Sequence, residues 1–330
     1  MERYCIAEFD RFGREPILRR MPDGTLVCLF LTGGPTEPHN ENVTMISRSF
    51  DDGETWTEPT VLFSHPRRGV WCTELFTEGP VPFIAVHTYN AESHYRELKT
   101  HLSFTMDSGA TWSSPVSLPG GHTGMTLRQG IVLSSGEWLF PVYWQETRSD
   151  FDWTQTDNSE KHCLFVCGVL MTGDQGKTWH RFGCIRSETG LWEPNCVELE
   201  DGHIVMLMRD TAGHKLQISE SFNYGRSWSE PHPTVIPNPG SKVTLIKVRG
   251  SVLLVNNFID GDDWYDRTHL AVWVSNDLMR SWKKYPLAEE DGFWFYPHGF
   301  ADDEKETVYL AIENCRRHEL VKIPYAELGV

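Results

Sequence analysis

One eight-residue pattern, Ser/Thr-x-Asp-x-Gly-x-Thr-Trp, limits what this chain can fold into more than any other feature. It reads Ser49-Phe50-Asp51-Asp52-Gly53-Glu54-Thr55-Trp56, and returns at Thr105 to Trp112 (Asp107, Gly109) and at Thr172 to Trp179 (Asp174, Gly176). Two weaker copies follow, Ser221 to Trp228 with Asn223 for Asp, and Ser275 to Trp282 with Met279 for Gly. The residue types suit a tight hairpin turn. Asp accepts backbone N–H groups inside the turn, Gly takes a positive φ, and Trp packs on the adjoining strands. Recurrence along the whole chain signals an array of similar units.

A second repeat interleaves with the first. Apolar runs flank short turns at Pro22-Asp23-Gly24, Glu78-Gly79-Pro80, Ser134-Ser135-Gly136, Asp201-Gly202, Arg249-Gly250 and Asp302-Asp303. Six hairpins and five boxes imply six four-stranded units, an all-β six-bladed β-propeller occupying residues 1–330 as one body. The sixth unit has no box, so its outer strand is expected from the N-terminus, around Tyr4 to Glu8. Such a closure ties the ring shut and removes a free sheet edge.

Composition narrows the partners. Formal net charge is −16, from 46 acidic and 30 basic residues, which repels nucleic acid and anionic membranes. The eight cysteines show neither CxxC pairs nor zinc spacing and fall mostly in apolar runs, so free buried thiols and no metal site are expected. The N-terminus carries no apolar leader and no window spans a membrane, which implies a cytoplasmic chain as given, or a secreted one if a signal has been trimmed. The oligomeric state is not legible.

Blade bookkeeping predicts the site. The first strand of each blade lines the central channel, and the boxes turn on one face. Residues at the start of strand 1, at the end of strand 2 and in the loop from strand 2 to strand 3 therefore gather on the opposite face. These are Arg14 and Glu15 with the loop Gly33 to Asn42, Glu193 and Arg209, Arg267 after the polar loop Asp260 to Asp266, and Tyr296 with His298. Trp71, His87, Tyr89, Arg128, Tyr143 and Trp144 fall near the same mouth. Taken alone, Glu193 and Arg209 read as a cross-strand ion pair, and Tyr296 as a packed aromatic. Together with Arg14 and Arg267 they form a site suited to a carboxylate.

These features resemble the exo-sialidases, whose repeats carry such Asp boxes. Arg14-Glu15-Pro16 resembles the family's R-I-P stretch, and Glu193 precedes Arg209 across a D-G hairpin as the family's Glu precedes its second Arg. Arg267-Thr268-His269-Leu270-Ala271-Val272-Trp273-Val274-Ser275-Asn276-Asp277 matches every fixed position of R-x-x-L-x-V-x-x-S-x-D. The resemblance implies that Arg14, Arg209 and Arg267 grip a sugar carboxylate, with charge-assisted bonds. It also implies Tyr296 as nucleophile with Glu193 as its base, the Tyr-nucleophile exception among glycosidases. No cofactor is implied, since Arg supplies the positive charge.

One part of the family pattern is missing. The loop Gly33 to Asn42 holds no Asp to serve as acid. Glu41 is the first candidate, because it lies late in the loop; Glu37 and His39 are the others, with His39 and His298 also placed as ligand contacts. The leading function is an exo-acting retaining glycoside hydrolase that releases a terminal acidic sugar. A uronate lyase using Tyr296, His39 or His298 as base, and a non-catalytic glycan-binding propeller, are the alternatives.

Overall fold

The computed structural model describes residues 1–93, 95, 97–146, 164–288 and 292–330. Six antiparallel sheets form six blades. Blade 1 runs Gly13–Arg20, Leu26–Thr32, Val43–Ser49 and Thr60–Phe63, from the channel outward. The inner strands of blades 2, 4, 5 and 6 are Gly69–Phe76, Leu191–Glu200, Thr244–Val248 and Phe295–Asp302. Blade 3 differs: its inner strand is broken into Met125–Leu127 and Ile131–Val132, both paired to Trp138–Glu146. The blade 3 insertion, Arg148 to Lys161, lies outside the described residues.

The inner and second strands are almost wholly buried, because both faces of each blade pack on a neighbour. Leu139 and Met171 of blade 3 meet Cys196 and Met206 of blade 4 in one such layer. Each fully buried side chain of this size contributes about 2 kcal/mol. Cys28, Cys72, Cys167 and Cys196 are buried free thiols, whereas Cys5 and Cys184 are exposed, departing from the buried reading.

The boxes are hairpin turns held by one bonding scheme. The Gly53 N–H donates to Ser49 Oγ at 2.7 Å, and Asp51 accepts the Thr55 N–H at 2.9 Å and its hydroxyl at 2.5 Å. The Trp56 indole N–H donates to the Gly53 carbonyl. Asp107, Asp174 and Asp277 repeat the carboxylate part, and Asn223 accepts the Ser227 N–H in the same way. Where Met279 replaces Gly it keeps the left-handed backbone, at φ +65.

Blade 6 takes its outer strand, Glu2–Glu8, from the start of the chain, paired antiparallel with Arg317–Pro324. The adjoining blade 1 box reinforces the seam. Asp52 accepts from Arg20, Lys305, Lys322 and the Tyr309 hydroxyl. Burial opposes its charge, but these donors prevail and hold the carboxyl well below its ordinary range. Because strands alternate in direction, the boxes lie at one end of the channel, and Arg14, Arg209 and Arg267 at the other.

Candidate functional site

Three inner strands break at the same place in the same way. Glu15, Glu193 and Tyr296 have φ of +50, +45 and +48, and each precedes a proline: Pro16, Pro194 and Pro297. The ladder register shifts there, between Arg14 and Ile17, Trp192 and Asn195, and Phe295 and His298. A bulge re-aims the side chain that alternation would send into the sheet. Proline has no N–H to withdraw from the ladder, so the break falls where the ladder is already interrupted. The left-handed backbone costs roughly 1–2 kcal/mol per residue. This strain presents Glu15, Glu193 and Tyr296 at the channel mouth.

The mouth is a pocket with about 170 Å³ of free space. It is lined by aromatic residues, among them Trp71, Tyr95, Tyr143 and Trp192, together with Arg14, Arg209, Arg267 and Tyr296. The guanidinium carbons of Arg14 and Arg267 lie 4.9 and 5.1 Å from the Tyr296 ring centroid, and 4.7 and 3.9 Å from that of Trp264. Arg209 Nη1 donates to the Tyr296 hydroxyl at 3.2 Å and to Glu193 at 3.3 Å. Sequence reasoning leads one to expect a direct Tyr296–Glu193 bond. Among the described residues none forms; both oxygens meet on this one nitrogen.

The three arginines differ in how they are held. Arg14 is anchored by buried Glu313 at 3.1 Å and faces Glu37 at 3.2 Å. Burial works against its charge, yet Glu313 and Glu37 outweigh burial and keep it firmly protonated. Arg267 is tethered by one bond, from Nη2 to the Gly240 carbonyl at 2.9 Å. Its Nε and Nη1 are buried without a hydrogen-bond partner among the described residues. Burial lowers its pKa, and Arg209 and Arg14 add repulsion. Like charges gathered this closely favour an anion between them.

The carboxyl groups divide by environment. Glu37 lines the pocket, and burial, with Glu15, Glu313 and Glu193 nearby, pushes its pKa up to about 7 despite Arg14. Glu15 goes the other way. Burial opposes its charge, but Arg128, Lys242, Arg14 and the Trp71 N–H hold its pKa low. Arg128 and Trp71 each reach its Oε2 at 3.2 Å. Glu15 therefore spends its charge on Arg128 rather than on the arginine cluster. Burial raises the Tyr296 phenol, Glu193 adds to this, and Arg267, Arg209 and Arg14 pull against them.

Several sequence candidates lie elsewhere. The Glu41 side chain is 74 % exposed, and its near neighbour is His39, at 3.9 Å; neither lines the pocket. Asn42 is the reason. Its side chain accepts from the Gly34 N–H and donates to the Thr36 carbonyl and the Tyr89 hydroxyl, folding Glu37 inward and leaving Glu41 outside. His298 is buried below the mouth, accepting the Leu18 N–H at Nδ1 and facing Glu74 with Nε2. Arg19 and Arg20 are committed to Glu74 and to Asp52 and Asp302, which leaves Arg14 for the pocket. Of the further mouth candidates, Trp71, Tyr143 and Trp144 line the pocket; His87, Tyr89 and Arg128 do not. Reasoning from sequence passed over Trp264 and Tyr95, whose placement depends on loop conformation. It also passed over the Glu-Pro, Glu-Pro, Tyr-Pro series, which was visible as a repeat.

This geometry can be set beside known proteins. The chain is 23% identical over 323 residues to a sialidase of Bacteroides fragilis, a match that covers 83% of this chain and 54% of that protein. Among solved structures it resembles a Hadza microbial sialidase (TM-score 0.77, 18% identity, 96% of this chain and 66% of the other). It also resembles the Trypanosoma rangeli sialidase (TM-score 0.74, 19% identity, 97% and 56%). A Dyadobacter fermentans protein of unknown function matches along nearly its full length (TM-score 0.74, 16% identity, 98% and 97%). The chain thus spans little more than half of the Bacteroides relative. A family description, the BNR repeat-like domain, matches residues 24–312, from the first hairpin to the last inner blade strands, and the chain belongs to that family.

Proposed function

We propose that this protein is an exo-acting, retaining glycoside hydrolase that removes a terminal acidic sugar, sialic acid or a close relative. The observation that carries this reading is the meeting of the Tyr296 hydroxyl and the Glu193 carboxylate on Arg209, with Arg14 and Arg267 flanking the same ring. The sugar carboxylate binds among the three arginines, where Arg267 has two N–H groups to spare. Glu193 takes the phenol proton as the Tyr296 oxygen attacks the anomeric carbon. A neutral phenol approaches this anionic sugar without the repulsion a carboxylate nucleophile would meet.

Glu37 supplies the acid. Below about pH 7 it is protonated and donates to the departing glycosidic oxygen. As a carboxylate it then takes a proton from water, whose oxygen displaces Tyr296 from the sugar, while Glu193 gives its proton back to the departing phenolate. Two displacements at one carbon retain its configuration.

Incubation with a fluorinated sialic acid tests the reading. The expected result is one sugar mass added to the Tyr296 peptide, and none in Tyr296→Phe. A product that absorbs in the ultraviolet, released without an adduct, overturns it in favour of a lyase. Binding without turnover or adduct leaves a glycan-binding module.

A further inference from the structure

Beside the proposed nucleophile stands a cation that the reaction scheme does not use. Lys242 is 2 % exposed and does not line the pocket. Its Nζ is buried, makes no hydrogen bond among the described residues, and lies 5.3 Å from the Tyr296 ring centroid. A buried, unpaired ammonium is costly. Its position is nonetheless built with care. Asn238 accepts the Ser241 N–H and donates to the Ser241 carbonyl, while the Ser241 hydroxyl donates to Asn257. The same turn offers the Gly240 carbonyl to Arg267, and Thr244 bonds the Pro297 carbonyl next to Tyr296. Lys242 is thus fixed to the segment that seats both the clamp and the tyrosine.

We propose that Lys242 is a positioning residue for the reaction, an ammonium that stabilises the negative charge growing on the Tyr296 oxygen as Glu193 takes its proton. This rests on the reading of Tyr296 as the nucleophile. The phenol then has Arg14, Arg209 and Arg267 toward the pocket, which the substrate carboxylate neutralises, and two cations outside the pocket lining: Arg128, paired with Glu15 at 3.2 Å, and Lys242, which has no hydrogen-bonded partner among the described residues. When substrate occupies the clamp, Lys242 is the cation whose charge remains free to act on the phenolate.

The charge on Lys242 depends on its surroundings. Burial lowers its pKa to about 8; Arg128 of blade 3 acts in the same sense, against Glu15 of blade 1, Glu193 of blade 4 and Glu313 of blade 6. Cys28, His298 and His318 also face it. Burial pushes the thiol up and both imidazoles down, so all three stay uncharged as Lys242 titrates. Below about pH 8 the ammonium is present; above it the support is withdrawn and attack slows.

The rate of Tyr296 labelling by a fluorinated sialic acid, followed against pH, reads this directly. Fluoride departs with little help from Glu37, so the acid drops out of the profile. In the wild-type protein the rate should bend downward above about pH 8. Lys242→Met keeps the aliphatic stem and removes the charge, and should label about 10- to 100-fold more slowly with no bend there. Lys242→Arg should recover most of the rate and carry the bend to higher pH. Labelling of Lys242→Met at the wild-type rate with the bend unmoved overturns the proposal. If neither variant folds, a wild-type rate that rises smoothly through pH 8 overturns it as well. Absence of any label on wild-type Tyr296 defeats the nucleophile reading first, a result distinct from both.

Discussion

The two faces of this propeller are made from the same strands and obey opposite rules. On the box face, each turn repeats one hydrogen-bonding scheme, its carboxylates stand in solvent, and Asp51, Asp174 and Asp277 are held ionised by hydroxyl and amide donors, with pKa values lowered to about 2. On the mouth face blades 1, 4 and 6 share one backbone break but present different side chains through it. Charges are buried, Glu37 is pushed up to about 7, and Glu15, Glu193 and Tyr296 sit in left-handed backbone. The regular face holds the frame well enough for the irregular face to carry strain and unpaired charge. Damage to one face should therefore show in stability, and damage to the other in chemistry.

The largest effect should come from Glu37. Glu37→Gln is expected to lower kcat/KM on natural glycosides by about 10²–10⁴-fold. Burial raises this pKa, so the acid form is present at low pH and is lost as pH rises through about 7. The variant should lose that alkaline fall, and aryl glycosides with good leaving groups should be little affected. Glu41→Gln, in the exposed part of the loop, should match the wild type on every substrate. A reversed outcome for the pair would mean that Asn42 does not hold the loop as described.

Arg267→Lys is next. A lysine cannot both keep the Gly240 tether and present two parallel N–H groups, so affinity for acidic monosaccharides should fall about 100-fold. Thermal melting should barely move. Wild-type affinity measured by calorimetry would remove Arg267 from the carboxylate clamp.

The smallest effect on activity belongs to the box face. Asp174→Ala should lower Tm by a few degrees and leave kcat unchanged. Its depressed pKa means that the ionised form stabilises the fold above the ordinary carboxyl range and is lost as pH falls through about 2. The difference in Tm between wild type and variant should shrink in acid. Asp174→Asn should cost less, since Asn223 already serves a box by accepting the Ser227 N–H at 2.9 Å. A box substitution that changed turnover more than melting would break the division between the faces.

The same division decides what the sequence reveals. The boxes and hairpins are legible because each depends on a few adjacent residues of restricted type, and from them the blade count and the three arginines follow. The acid is not. By position in the loop Glu41 has the better claim, and what favours Glu37 instead is how Asn42 bonds to Gly34, Thr36 and Tyr89, the last brought in from another blade. His298 likewise sits at the correct end of its strand, yet the bulge at Tyr296 turns the Tyr296 side chain to the mouth and leaves His298 below it. A shift of one residue in register exchanges which neighbour faces the channel. Pairing partners so remote in sequence leave no local mark.

The closing strand has a consequence for how the protein is made. Glu2–Glu8 is synthesised well before its partner Arg317–Pro324, with the strands of five blades encoded between them. During translation Glu2–Glu8 must wait, with its hydrogen-bonding edge unsatisfied, until Arg317–Pro324 has emerged. The mouth is under the same constraint, because Arg14 is anchored by Glu313 across that seam. A nascent chain can complete five blades and still lack a seated Arg14. The cluster of arginines at the mouth is therefore complete only once the ring is knotted.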